Sequence, residues 1–213
     1  MRPPSGNLGF EQIEIASMTD VGVRRSHNQD AFGVVLAPSL DAWKDRGHIL
    51  IVADGMGAHA VGELASALAA DQIPHTYQKH ASQGPNEALR KAFDEANANI
   101  HQRGQQNREF QGMGTTATSL LLNQEGAWVA HVGDSRAYRI RRNQIEQLSF
   151  DHSLQWELVR VSRSHRSLLP AFPPMLLSVR LDLRELCRLI SKAHIRLNQE
   201  IFIYCVAMAY QTN

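Results

Sequence analysis

The stretch ILIVADGMGAHAVGELAS, Ile49 to Ser66, constrains the fold more than any other part of the chain. An apolar run ends in Asp54, glycines follow at Gly55 and Gly57, and helix-forming composition begins at Gly62. A short, β-branched apolar run is the pattern of a buried strand. A glycine-rich turn between a strand and a helix ordinarily receives phosphate on its backbone N–H groups. A carboxylate fixed at that point repels a phosphate unless a cation lies between them.

The elements around this stretch follow from periodicity and turn chemistry. QIEIASM (12–18), AFGVVLA (31–37) and HILIVAD (48–54) read as strands, with a polar loop from Asp41 to Gly47. GELASALAADQI (62–73) reads as a helix that stops before Pro74. Gly84 and Pro85 open a second helix over 86–103, with Ala88, Leu89, Ala92, Phe93, Ala96 and Ile100 as its apolar stripe. TTATSLLL (115–122), AWVAHVG (127–133) and AYRIRR (137–142) read as strands. A tight turn at Arg142–Asn143 leads to a hairpin partner, QIEQL, and SLQWELVR (153–160) reads as a short helix. Strands, then two helices, then more strands is the order of an α+β protein with antiparallel sheets, not of alternating βαβ units.

Composition narrows the function. With 213 residues and 43% hydrophobic content, the chain can bury one sizeable core. The formal net charge of +1 calls for neither nucleic acid nor a membrane surface as partner. Two cysteines, Cys187 and Cys205, make neither a disulfide framework nor a zinc site, so the expectation is a reducing interior. No signal-like apolar segment opens the sequence, and the longest apolar run, Ile201 to Tyr210, is shorter than the roughly 20 residues a spanning helix needs. These features predict a soluble, cytoplasmic protein.

Four motifs hold residues suited to chemistry: RRSHNQD (24–30), ADGMG (53–57), GMGTT (112–116) and HVGDSRAY (131–138). Asp30, Asp54 and Asp134 each fall at or beside the end of an apolar strand. A single such aspartate is a turn residue or an N-cap. Three of them, at strand ends that can converge, suggest a shared cation, because clustered carboxylates do not all stay ionised uncompensated. Oxygen ligands select a hard ion, Mg²⁺ or Mn²⁺. Of the other polar residues, His59 reads as a loop histidine and His131 as a structural one. Ser135 reads as turn-forming and Arg136 as a surface or packing residue. Trp128, Trp156 and Phe93 read as core, and the RIRR run (139–142) as a solvated hairpin edge. A rival reading takes Gly55 to Ala60 as the G-x-G-x-x-A of a nucleotide-binding protein. It lacks a strand ending in an acid about 20 residues on, since Asp71 lies within the helical stretch.

TDVGVRRSHNQDAFGV, ILIVADGMGAHAVGELAS, GMGTTATSLLL and AWVAHVGDSRAYRIRRNQIEQLSFDHS together resemble the metal-dependent (type 2C) serine/threonine protein phosphatases in their bacterial form. The resemblance covers roughly residues 12–160 in the family's order. It implies a four-layer α-β-β-α sandwich, two antiparallel sheets flanked by helix pairs, with a site for two Mn²⁺ or Mg²⁺ ions, and a third in bacterial members. Asp30 matches the first metal aspartate, Asp54 the bridging one, and Gly55 the residue lending its carbonyl. Asp134 matches an aspartate of the third metal, and Arg25 the arginine that clamps substrate phosphate. The implied reaction is hydrolysis of phosphoserine and phosphothreonine by a metal-bridging water, on phosphoproteins made by a bacterial serine/threonine kinase. Gln29 replaces a frequent glutamate, and Ala58 a frequent glycine.

The chain divides into a loose tail (1–10), a phosphatase-like domain (11–160) and a divergent segment (161–213). The first 160 residues hold all 14 glycines and 15 Lys+Arg against 18 Asp+Glu; the divergent segment holds 7 against 3. A stretch without glycine is poor material for closely turned antiparallel strands, and LRELCRLISKAHIRL (183–197) has amphipathic helical spacing. The family's two later metal aspartates, in "SDGL"-like and "DN" motifs, have no counterparts, and Asp182 has the wrong neighbours. The expectation is a replaced or truncated segment, and with it an alternative role as a catalytically impaired remnant or a phosphopeptide- or partner-binding module.

Overall fold

In the computed structural model, residues 13, 15–21, 26–57, 61–141, 144–152, 179–182 and 202–206 are described. The strands are β1 (Asp30–Val35), β2 (His48–Met56), β3 (Gly114–Thr115), β4 (Ala117–Asn123), β5 (Gly126–Val132), β6 (Arg136–Arg141), β7 (Gln144–Gln147), β8 (Val179–Asp182) and β9 (Phe202–Val206). The α-helices are α1 (Leu40–Asp45), α2 (Val61–His80) and α3 (Pro85–Gln106). One sheet runs β1-β2-β4-β5-β8, with β3 attached to β2, and a second runs β7-β6-β9. Every pairing is antiparallel. This is the α+β class expected, with helices segregated from the sheets.

The period of two along the central strands sorts side chains into two buried layers. Ile49, Ile51 and Ala53 of β2, Ala117 and Leu121 of β4, and Trp128 and Ala130 of β5 pack against α2 and α3. Their neighbours Leu120, Leu122, Ala127 and Val129 face the other way and pack with Ala137 of β6, Leu148 and the α1 residues Ala42 and Trp43. The helix pair thus covers one face of the large sheet and the small sheet covers the other. The second helical layer expected of a four-layer sandwich falls on residues outside those described.

All six residues of the predicted α3 stripe are buried, and Pro85 sits in its first turn, where no backbone donor is needed. Helix α2 corrects the reading at Pro74, because it runs through that proline to His80. Pro74 lacks the N–H that would bond the carbonyl of Ala70. That oxygen lies against Gly33 of β1, where a Cβ would meet it at 2.6 Å. Packing of Ala65, Ala69, Ile73 and Tyr77 on the sheet carries the helix past the missing bond.

Three other elements differ from expectation. Residues 13 and 15–18 form no strand, although Ile13 packs on the inter-sheet core. Alternation there reports burial rather than strand pairing. The polar loop contains α1, capped where Ser39 Oγ accepts from the Ala42 amide at 3.2 Å and anchored by buried Trp43. In the glycine-free segment, β8 and β9 pair antiparallel with β5 and β6, because long-range partners can supply pairing where no tight turn exists. The predicted helices 153–160 and 183–197 and the tail 1–10 lie outside the described residues.

Candidate metal centre

Strand β2 changes partners at Asp54. Asp30 of β1 stands directly opposite Asp54, and this is the last rung of the β1–β2 ladder. The next residue, Gly55, pairs with Thr115 of β3. The glycine motif therefore does not turn at once: the strand continues through Met56 before Gly57 takes a φ of 140°. Residues directly opposite in an antiparallel pair project to one face with Cβ atoms about 4.5–5.5 Å apart, and like charges there repel. A hard divalent cation shared by the two carboxylates removes that repulsion.

Six hydrogen bonds fix the backbone around this pair. The Asp54 amide donates to Thr116 Oγ1 at 2.9 Å, and the Asp54 carbonyl accepts from the Thr116 amide at 2.9 Å and from Thr115 Oγ1 at 3.0 Å. On the other side, the Gln29 carbonyl accepts from the Gly55 amide at 3.0 Å and from Ser66 Oγ of α2 at 2.6 Å. The Asp30 amide donates to Asn28 Oδ1 at 3.0 Å. A Cβ at Gly55 would lie 2.0 Å from the Gly62 carbonyl, so only glycine lets α2 approach the turn this closely. The residues flanking the two aspartates are thus tied to each other and to the helix.

Asp134 lies at the same end of the sheet, in the turn between β5 and β6. Ser135 beside it is fully buried and shares a 2.6 Å hydroxyl contact with Thr116. Ser135 is therefore more than the turn-former expected. Arg136 takes the packing role of the two expected: its Nε donates to both Asp151 oxygens, at 2.8 and 3.0 Å, and Nη2 donates to Oδ2. The hydrogen bonds to Asp151 raise the already high pKa of Arg136 further.

His131 is interior, as its alternating strand suggested. Thr118 Oγ1 lies 2.8 Å from Nδ1, the Gly133 carbonyl 2.9 Å from Nε2, and the His152 ring packs at 5.1 Å. Burial first, and then His152, push its pKa below the usual histidine value. Trp128 and Phe93 are core, as expected. Arg139 of the RIRR run pairs across the hairpin with Glu146 on the exposed strand β7.

Arg25, Ala58, His59 and Trp156 lie outside the described residues. Among the described residues, no group of three or more His, Cys, Asp or Glu side chains gathers as a metal-binding cluster. Asp182 pairs with Gly126, at the opposite end of β5 from Val132, which is about 20 Å of strand from the Asp134 end. It therefore does not stand in for a missing carboxylate. The donors present, two opposed carboxylates with oxygen-bearing neighbours, fit a hard divalent ion in kind. Thr116, Ser66 and Ser135 were not read as site residues. The signal available was their position in GMGTT, in the first turns after the glycine motif, and beside Asp134.

Paired sheets under a helix pair, with opposed aspartates where one strand changes partners, define an α+β sandwich with an acidic site at one sheet end. The family model described as "Protein phosphatase 2C" matches residues 17–168, and the chain belongs to that family. The serine/threonine phosphatase Stp of Listeria welshimeri is 36% identical over 146 residues, 67% of this chain and 56% of that protein. Protein phosphatase PhpP of Streptococcus pneumoniae is 35% identical over 157 residues, 71% of this chain and 60% of that protein. The solved structure of serine/threonine phosphatase Stp1 from Staphylococcus aureus is similar with a TM-score of 0.55 at 27% identity, covering 91% of this chain and 74% of that one. The chain thus spans less than two thirds of the length of these curated relatives.

Proposed function

We propose that the chain acts as a metal-dependent phosphoprotein phosphatase that hydrolyses phosphoserine and phosphothreonine. The observation that carries this is the direct opposition of Asp30 and Asp54 where β2 leaves β1 for β3. Mn²⁺ or Mg²⁺, when bound, lowers the pKa of water and offsets charge on a phosphoryl group. Asp30 and Asp54 would hold that ion, with the Gly55 carbonyl beside them and Asp134 toward a further ion. Thr115 and Thr116 hold the Asp54 backbone, so its carboxylate meets the ion without reorganising. Arg25 supplies a planar fork suited to phosphate oxygens. The relatives' names point to phosphoproteins, and we place the substrates among the products of a bacterial serine/threonine kinase in the cytoplasm. No helix among the described residues is long and apolar enough to cross a membrane.

Hydrolysis of an aryl phosphate in Mn²⁺, with EDTA and Asp54→Ala as controls, tests the reading. We expect turnover that EDTA abolishes and the variant lacks; a rate equal in wild type and variant would defeat it. A second reading, a phosphatase-like module that binds a phosphopeptide or partner without turning it over, is favoured by the sequence after residue 160, which has no counterpart of the family's "SDGL"-like and "DN" motifs. Phosphopeptide binding without Mn²⁺-dependent turnover would support that alternative.

A further inference from the structure

We propose that Thr116 and Ser135 form a positioning brace that sets Asp54 against Asp134. This rests on the reading of both aspartates as metal-site residues. Neither hydroxyl touches solvent to any useful extent: Thr116 is 2% exposed and Ser135 is 0%. Their oxygens are 2.6 Å apart, short for two hydroxyls, and their positions are 19 residues apart in the chain. Thr116 Oγ1 also accepts the Asp54 amide at 2.9 Å, so one oxygen joins Asp54 to the turn that carries Asp134.

The surroundings leave the brace little freedom. The Thr116 amide donates to the Asp54 carbonyl, so Thr116 holds Asp54 through both backbone groups. Gly133 adopts a φ of 105°, and a Cβ there would lie 2.6 Å from Thr116 Cγ2. That glycine conformation lets the turn close onto Thr116. The Gly133 carbonyl accepts from the His152 amide at 2.7 Å and lies 2.9 Å from His131 Nε2. The turn is therefore held by His131 and His152 as well as by Thr116. Whichever hydroxyl donates in the pair, Thr116 Oγ1 keeps a lone pair for the Asp54 amide. The pair's role is one of distance, not of proton transfer.

Two measurements on the full chain test the brace. The first is hydrogen exchange at the Asp54 amide, which does not depend on metal. Ser135→Ala is expected to speed that exchange at least tenfold relative to wild type, and Thr116→Val to do the same, while Thr116→Ser keeps protection. The second is Mn²⁺ affinity by calorimetric titration. Residues that orient metal ligands typically change affinity by about 10–100-fold. We expect about tenfold weakening in Thr116→Val and in Ser135→Ala, rescue to within about threefold in Thr116→Ser, and a double variant no weaker than the weaker single one. Should Thr116→Val fail to fold, Ser135→Ala carries both measurements. Unchanged Asp54 exchange in the folded variants overturns the brace, as does unchanged affinity where wild type binds Mn²⁺. Loss of Asp54 protection in Ser135→Ala, in a wild-type chain that takes up no Mn²⁺, supports the brace and sinks the metal-site reading instead.

Discussion

The two faces of the large sheet are both buried but differ in chemistry. Toward the helices, β2, β4 and β5 present Ile49, Ile51, Ala53, Leu121, Trp128 and Ala130. Toward the small sheet, the same strands bury His48, Asp54, Thr118 and His131 among the apolar residues. Apolar burial stabilises in proportion to area and is indifferent to direction, about 1.5–3 kcal/mol for each fully buried large side chain. Buried polar groups stabilise only if each donor meets an acceptor at the right distance. On the second face they do so: the Ala37 amide donates to His48 Nδ1 at 2.8 Å, Thr118 meets His131 at 2.8 Å, and Thr116 meets Ser135 at 2.6 Å. One face holds the sheet together, and the other fixes where the aspartates at its end sit.

Substitutions on the two faces should therefore have separable consequences. The largest effect belongs to Asp54→Ala, which removes one of the opposed carboxylates. Mn²⁺-dependent hydrolysis should fall by several kcal/mol of transition-state stabilisation, about a thousandfold or more. Thermal stability should move by less than about 1 kcal/mol, since a like-charge opposition is relieved. Leu121→Ala, fully buried on the helix face, should show the reverse. It should cost about 2–5 kcal/mol in chemical denaturation and leave Mn²⁺ affinity within about threefold. A tenfold loss of affinity in Leu121→Ala would mean that the two faces are not independent. Asp151→Ala comes next. Arg136 donates to both oxygens of Asp151, and the side chains are 22% and 13% exposed, so the pair is only partly screened. Its loss should cost about 1.5–3 kcal/mol in the same assay; a cost under about 0.5 kcal/mol would put it with ordinary surface pairs.

The same contrast explains what was legible in the sequence. The helix face follows simple periodicity, so the α3 stripe and the strands 48–54 and 115–122 were read nearly as they fold. Asp30 and Asp54 are legible because Asp30 opens an apolar run and Asp54 closes one, and their cross-strand register then follows from pairing. Other features depended on partners distant in sequence, which local patterns do not encode. The passage of α2 through Pro74 depends on packing against β1, and the strands β8 and β9 depend on β5 and β6. Ser135 looked like a turn residue because turn chemistry and hydroxyl burial use the same side chain. Nothing near Ser135 in the sequence indicates that Thr116 would face it from 19 residues away.

The smallest effect expected is a pH dependence, and it also bears on the polar face. His131 is fully buried, and burial and then the neighbouring His152 hold its pKa below 6.5 in the folded chain. The unfolded chain keeps the ordinary value, so at mildly acidic pH it binds more protons than the folded one. The stabilisation is then complete above about pH 6.5 and is lost as the pH falls from there through the folded-state pKa. One proton contributes a slope of at most about 1.4 kcal/mol per pH unit. The ring is also faced by Asp151, whose charge opposes the shift, and by His152, whose own protonation would increase it. His131→Gln keeps hydrogen-bonding capacity but removes the titrating ring. Denaturation midpoints of wild type and His131→Gln between pH 7.5 and pH 5 should converge as the pH falls, because only wild type loses this term. Parallel curves would show that the buried imidazole is not what makes the polar face acid-sensitive. The faces would then differ in geometry but not in their response to protons.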